Sequence, residues 1–456
     1  MFSLRQAFEW LSAGRLIGDG AVPITEVCTD TRAIRKGCLF VALRGERFDA
    51  HDFIAQAIAA GAAAVLAERW VEGMRAPALL VADTRLAFGE IARGWRRRFE
   101  LPVLAVTGSN GKTTVKEMLA SILGTRFGDA NRLATAGNLS NDVGVPISVL
   151  RLRPQHQAAV FELGMNRPGE IAWLAQIAQP TVVLVNNAQR EHQEFMGSVL
   201  ATAFENGAAM SALPASGVAV FPGDDPHTPL WRELAEPRRC ITFGLDERCS
   251  VRARPDARPE QFEMDLEGRV VNVSLSIDGL HNVRNALAAA ACALAIGIEP
   301  ELIAAGLAAF RPVRGRLARL NSPSGAQLID DSYNANPDSV RAAIDVLAGA
   351  ASPRVLVLGD MGEVGDQGEQ FHREVIDYAQ ARGIDHLLAL GEATGRAVRE
   401  TAHPGFEAFA AIEPLIERVA ELAVAPATVL VKGSRFMQME RVVAALVRRV
   451  ETAGAH

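Results

Sequence analysis

Long apolar runs are missing from this chain: nowhere in its 456 residues is there the stretch of roughly 18 apolar residues that a membrane-crossing helix needs. The opening, "MFSLRQAFEWLSAGR", is amphipathic and broken by charges, so it lacks the uninterrupted apolar core of a signal peptide. Cysteine is scarce and scattered. Cys28, Cys38, Cys240, Cys249 and Cys292 are odd in number and include no CxxC pair, which argues for free thiols in a reducing compartment over disulfides or zinc. Positive charge is not in excess either, and a net charge of −6 gives no footprint for nucleic acid. No internal repeat recurs at a period of roughly 20 to 50 residues. What these absences leave is a cytoplasmic protein with no membrane span and no nucleic-acid partner. An apolar fraction of 49% and a charged fraction of 22% fit that class.

At roughly 150 residues per domain, the length predicts about three domains. Residues 1 to about 99 mix β-rich pieces ("CLFVAL", "AAVLAE", "ALLVAD") with alanine-rich helical stretches. The run Arg96-Arg97-Arg98 reads as a solvated helix end, and Pro102 disfavours helix at the residue before it. From 103 onward, continuous apolar strands ("VLAVTG", "AVFELG", "TVVLVNNA") alternate with helical patterns, the signature of a buried parallel sheet. That segment closes with the helical stretch "LHNVRNALAAAACALAIG" at Gly297, and a second boundary falls near "FRPVRGR". A further α/β unit follows, with strands at "AQLIDD", "RVLVLGD", "HLLALG" and "TVLVKGS". The expected fold is α/β in three domains: 1–100, 101–311 with the central parallel sheet, and 312–456.

The stretch "TGSNGKTT" lies between a predicted strand and a predicted helix. Gly108 and Gly111 let the backbone curl so that N–H groups point inward, Lys112 brings an ammonium, and the helix N-terminus adds its positive end. Thr113 is placed like the hydroxyl that coordinates Mg²⁺ in a P-loop. The usual first glycine is replaced by Val106. The order strand, turn, lysine, hydroxyl, helix still predicts nucleotide-phosphate binding. A P-loop needs a carboxylate at the end of a neighbouring strand to finish the magnesium site, and "AVFELG" places Glu162 there. The next strand leads to "REHQEF", which supplies His192 in a loop on the same edge.

These motifs resemble the Mur ligase family, and others extend the match along nearly the whole chain. They are "DTR" (30–32), "GCLFVALRGERFDAHDF" (37–53), "ATAGNLSNDVGVP" (134–146), "ELGMNRPGEIA" (162–172), "LHNVRNA" (280–286), "GR" (315–316), "IDDSYNANPDS" (329–339), "LGDMGEVG" (358–365) and "KGSR" (432–435). "SYNANP" and "LGDM" resemble the branch that adds a dipeptide, not the siblings that add single amino acids. The resemblance implies an N-terminal domain holding the UDP end of the substrate, a central ATP-binding P-loop domain, and a C-terminal Rossmann-like domain closing over both. It implies ATP and Mg²⁺ as cofactors, UDP-N-acetylmuramoyl-tripeptide and D-alanyl-D-alanine as partners, and a monomer. The reaction would pass through an acyl phosphate.

Carried over position by position, Gly108, Ser109, Asn110, Gly111, Lys112, Thr113 and Thr114 would hold the ATP phosphates. Thr113 and Glu162 would hold a first magnesium ion and His192 a second, with Lys112, Glu162 and His192 as the catalytic set. Asn282 resembles the adenine contact, and Arg316 and Asp331 the nucleotide-binding pair of the third domain. Tyr333, Asn334 and Asn336 would line the D-alanyl-D-alanine side, although the same residues make an ordinary Asn/Asp/Pro turn. Asn138 and Asn141 resemble substrate contacts, and Thr31, Arg32, Arg44, Gly45 and His51 match the uridine-diphosphate side.

The chain departs from the family at one place. Mur ligases carry a lysine, usually carbamylated, after the loop histidine, and here Asn206 falls at that position. An asparagine cannot be carbamylated and is a weak ligand for a hard cation. Three expectations follow: Glu205 or a water replaces the lysine, the second ion binds more loosely, or Asn206 only packs or caps. Three alternatives also stand beside the dipeptide ligase: a sibling or folylpolyglutamate-type ligase, a nucleotide-gated switch or motor, and a weakened ligase kept for binding.

Overall fold

The computed structural model describes residues 1–45 and 48–448, so Glu46 and Arg47 of the "GERF" stretch lie outside the described residues. Three principal sheets follow one another along the chain. The first has five strands in the order Arg15–Ile17, Ala78–Leu80, Ala64–Ala67, Cys38–Val41, Glu26–Cys28. All its pairings are parallel except the one made by the edge strand Arg15–Ile17. Cys38–Val41 and Ala64–Ala67 are buried along their whole length, as continuous apolar strands between covering layers must be.

The helix Thr84–Arg96 joins this unit to the next. Asp83 caps it, accepting the N–H groups of Arg85 and Leu86 at 2.8 and 3.0 Å. Its last turn corrects the expectation of a solvated arginine run. Arg97 and Arg98 are exposed, but Arg96 is buried and donates to the carbonyls of Ala178 (3.0 Å), Gln179 (3.1 Å) and Phe99 (2.6 Å). Burial lowers its pKa to about 10. The Ala178 and Gln179 carbonyls end the helix Glu170–Ala178, so Arg96 satisfies orphan C=O groups at a helix C-terminus.

The central sheet has nine strands. Seven are parallel, in the order Val251–Ala253, Arg239–Gly244, Val218–Pro222, Val182–Val185, Val103–Thr107, Ala158–Glu162, Arg132–Ala134. An antiparallel pair, Phe262–Leu266 and Arg269–Val273, extends the far edge. This extension was not foreseen: Phe262–Leu266 alternates buried and exposed residues, the pattern of a one-face-wet strand. Val103–Thr107 lies between strands reached in opposite directions along the chain, which makes its C-terminal end a topological switch point. The helix Leu280–Ala295 packs its small residues on the sheet, with Ala286 through Ala293 all buried.

The third sheet has six strands: Ala318–Asn321, Gln327–Asp331, Thr428–Lys432, Arg354–Gly359, His386–Leu390, Phe406–Phe409. All pairings but the first are parallel. Asp331 and Lys432 are register partners at the C-terminal ends of two adjacent strands. The next helix, Pro337–Ala348, starts at Asn336, whose side chain accepts the Ser339 N–H in a capping box.

Candidate active site

The strand Val103–Thr107 delivers the chain to Gly108 and the helix Lys112–Phe127 carries it away. The turn between them is held from outside by asparagines. Asn187 accepts the Asn110 N–H at 2.9 Å, while Asn186 and Asn187 both donate to the Asn110 carbonyl, at 2.8 and 3.0 Å. Behind Asn186 the chain of amides continues through Asn285 to Asn282 (2.9 and 2.8 Å). Gly111 sits at φ +80°, and a Cβ there would fall 2.5 Å from the Asn285 Oδ1. Glycine is therefore required twice over, for conformation and for space.

Lys112 extends its ammonium back over this turn. It donates to the carbonyls of Gly108 (2.6 Å) and Ser109 (3.0 Å) and pairs with Glu191 at 3.1 Å. At the next position of the helix, the Thr113 hydroxyl lies 3.1 and 2.9 Å from the two oxygens of Glu162. Both residues are buried, and among the described residues no cation lies within ion-pairing distance of that carboxylate. A buried carboxylate beside one hydroxyl is a pair of hard oxygen donors lacking a positive charge, which fits a divalent cation completed by phosphate oxygens and water. No cluster of three or more His, Cys, Asp or Glu among the described residues forms a cage of its own.

His192, at φ 49°, places its Nδ1 2.5 Å from the Glu363 Oε2, without hydrogen-bond geometry, and its Nε2 3.6 Å from Glu191. Contact with His192 holds the Glu363 carboxyl below the usual range, against the opposing effect of burial. The third unit closes the space from above. Asn336 donates to the Asn110 Oδ1 at 2.8 Å and accepts from its Nδ2 at 3.3 Å, so the phosphate-type turn touches the "SYNANP" stretch directly. Arg316 lies over the ring of Tyr333 at 4.2 Å. Lys432 donates to Asp331 at 2.6 Å and to the Asn334 carbonyl at 2.9 Å. Burial pushes the Asp331 carboxyl up despite that neighbour.

These elements enclose a cavity of about 600 Å³. Of the residues singled out in the sequence, Ser109 to Thr114, Asn138, Asn141, Glu162, His192, Asn282, Arg316, Asp331, Tyr333, Asn334 and Asn336 line it. Gly108 is not part of its lining. Asn282 faces it with its amide already spent, on the Asp278 carbonyl (2.6 Å) and on Asn285. His281 beside it is half-buried and also lines the cavity, and desolvation lowers its pKa to about 4.

Thr31, Arg32, Arg44 and Gly45 sit apart, in the first unit. Arg32 is exposed and pairs with Asp30 at 2.7 Å. His51 differs from its expected place as a contact: it is fully buried, its Nδ1 2.6 Å from Asp49 and its Nε2 accepting the Glu68 N–H at 2.9 Å. It braces the loop instead of facing solvent.

At position 206 the side chain packs and caps. Asn206 is buried, accepts the Gly108 N–H at 2.8 Å and donates to the Thr202 carbonyl at 3.1 Å. Glu205 does not replace the lysine. Both its oxygens cap the helix Glu170–Ala178, accepting the N–H groups of Gly169 and Ile171 at 2.9 Å each. A carboxylate at a helix N-terminus is well placed where it is, and neither residue lines the cavity.

Sequence reasoning missed Asn186, Asn187, Glu191, Glu363 and Lys432. The paired asparagines directly after the apolar strand "TVVLV" were the available signal for the first two, because a strand end beside a phosphate turn must satisfy that turn's backbone.

Comparison with known proteins agrees with this geometry. Models of the Mur ligase family match in three consecutive pieces: the Mur ligase family catalytic domain over residues 23–96, the Mur ligase middle domain over 106–293, and the Mur ligase glutamate ligase domain over 315–435. The chain belongs to the Mur ligase family. It is 43% identical to the UDP-N-acetylmuramoyl-tripeptide–D-alanyl-D-alanine ligase of Escherichia coli (strain K12), over 93% of this chain and 94% of that protein. Its structure is similar to that of MurF from Acinetobacter baumannii, with a TM-score of 0.91, 36% identity and 98% of each chain covered. It is also similar to MurF from Thermotoga maritima in complex with ADP, with a TM-score of 0.83, 26% identity, and 94% of this chain and 98% of that one covered.

Proposed function

We propose that this chain joins D-alanyl-D-alanine to UDP-N-acetylmuramoyl-tripeptide at the expense of ATP, in the cytoplasm, for cell-wall precursor synthesis. The observation that carries the reading is the Asn110–Asn336 pair. It puts the turn that suits ATP phosphates and the stretch that suits the dipeptide on facing walls of one cavity.

Residues 1–100 would hold the uridine-diphosphate end through Thr31, Arg32, Arg44 and Gly45, with His51 supporting that loop. Residues 101–311 would bind ATP, and 312–456 would close over it. Lys112 would hold the β- and γ-phosphates, its charge opposing theirs, while inward N–H groups of residues 108–114 take up the remaining oxygens. Thr113 and Glu162 would hold Mg²⁺, whose charge neutralises the phosphates when it is bound. Asn282, Arg316 and Asp331 would receive the nucleoside.

The peptide's terminal carboxylate, guided past Asn138 and Asn141, would attack the γ-phosphorus. The bond to ADP breaks and an acyl phosphate forms. The dipeptide's amine, held near Tyr333, Asn334 and Asn336, would then attack the carbonyl carbon. It loses a proton as the amide forms, and inorganic phosphate leaves with one former carboxylate oxygen. Alignment of two anionic reactants by fixed groups accounts for much of the rate.

A substrate panel tests this. With ATP, Mg²⁺ and the UDP-linked tripeptide, mass spectrometry should find a product heavier by one dipeptide when D-alanyl-D-alanine is offered. Glutamate, lysine or a single D-alanine should give none. Product from a single amino acid would instead favour a sibling ligase.

A further inference from the structure

The Lys112 ammonium has three N–H groups, and all three are taken, by the Gly108 carbonyl at 2.6 Å, the Ser109 carbonyl at 3.0 Å and Glu191 at 3.1 Å. A phosphate can engage this lysine only by displacing a partner, and the carboxylate is the one a second anion must repel. Glu191 is itself only 12% exposed and lines the cavity the phosphates would fill. Left there without a cation, beside a polyphosphate, it would be a buried unpaired charge. The other side chain in reach is His192, whose Nε2 is 3.6 Å from the Glu191 Oε1 and which also lines the cavity.

We infer that Glu191 changes partner on nucleotide binding: it neutralises Lys112 in the empty site and, with His192, holds a divalent cation against the phosphates in the loaded one. This rests on the nucleotide reading above and adds to it a residue that occupies the phosphate's place beforehand. The chemistry suits a magnesium-type ion, which takes one or two protein donors and completes its shell with phosphate and water. It also supplies the negative charge that neither Asn206 nor Glu205 brings to the cavity.

Two binding measurements on the purified full chain test the exchange, with no peptide substrate present. With metal-free ADP in a chelator, calorimetry should show Glu191→Gln binding tighter than wild type, on the order of tenfold, because a competitor for Lys112 has gone. With Mn²⁺ and a non-hydrolysable ATP analogue, electron paramagnetic resonance should count two ions per wild-type chain and one in Glu191→Gln. Glu191→Asp, which keeps the charge, should retain both. Two ions in wild type and in Glu191→Gln alike, one ion in both, or metal-free ADP affinity unchanged by the substitution would each overturn the inference. Tight ADP binding by Glu191→Gln also shows that the variant is folded. Failure of the wild type to bind the analogue at all would fail the nucleotide reading itself, whereas the ligase specificity is not engaged by either measurement.

Discussion

The Asn206 side-chain oxygen accepts the Gly108 N–H at 2.8 Å, and its nitrogen is anchored one helical turn away on Thr202. A neutral strut thus holds the first glycine of the phosphate turn where other family members carry a modifiable lysine. Turnover is therefore expected to be indifferent to bicarbonate or carbon dioxide. Asn206→Ala should weaken nucleotide binding by about 1–2 kcal/mol, the cost of one buried unmet donor. Steady-state rates in buffers with and without bicarbonate check the first, and calorimetry with ADP the second.

Thr113 and Glu162 should be inseparable in function. Thr113→Ala removes the hydroxyl that faces both carboxylate oxygens, and turnover should fall by about 100-fold or more, as when a preorganised polar group is lost. Thr113→Ser keeps the hydroxyl and should restore most of it. Steady-state rates across a Mg²⁺ titration provide the comparison.

Arg190 links the central unit to the third. Its guanidinium reaches Asp338 at 2.6 Å and Glu374 at 2.7 Å and lies 5.1 Å from the Phe371 ring. Arg190→Ala leaves Asp338 without its cation and Glu374 with Arg341 alone, and should loosen closure. The expected readout is a lower kcat together with a larger radius of gyration by small-angle scattering.

The same cluster predicts an acid sensitivity. Hydrogen bonds from Arg190 foremost, and from Arg341, lower the Glu374 carboxyl from 4.5 to about 2 against the opposing effect of burial. A folded-state pKa below the unfolded one means stability that is present above about 4.5 and is lost as pH falls toward about 2. Denaturant unfolding across that window should show wild type losing more stability with acid than Glu374→Gln.

Lys432→Met would leave Asp331 buried without its partner. Removing one member of a buried pair costs about 3–5 kcal/mol, and Asp331 and Lys432 meet at 2.6 Å as register partners at the two strand ends. Thermal unfolding should register the loss, and the double variant Asp331→Asn with Lys432→Met should recover part of it.

Much of this was legible in the chain. Continuous apolar runs such as "VLAVT" and "TVVLV" declare buried parallel strands, and the glycine turn before Lys112 declares an anion site, because local chemistry alone dictates both. What escaped depends on distant partners. Nothing around Arg96 marks it as the group that meets the carbonyls of Ala178 and Gln179, some 82 and 83 positions away in sequence. Glu205 is held by a helix N-terminus that only the assembled fold brings to its oxygens. Glu191 adjoins the predicted His192, yet its bond to Lys112 exists only because two strand ends meet at the switch point.

The claim that the phosphate turn serves to activate a carboxylate has a direct isotopic test. The UDP-linked tripeptide would be prepared with both oxygens of its terminal carboxylate as oxygen-18 and turned over with ATP, Mg²⁺ and D-alanyl-D-alanine. The phosphate released should carry one labelled oxygen, leaving the other in the new amide. Unlabelled phosphate, with both labels still on the peptide, would mean that water and not the carboxylate takes the phosphoryl group, contradicting an acyl-phosphate ligase.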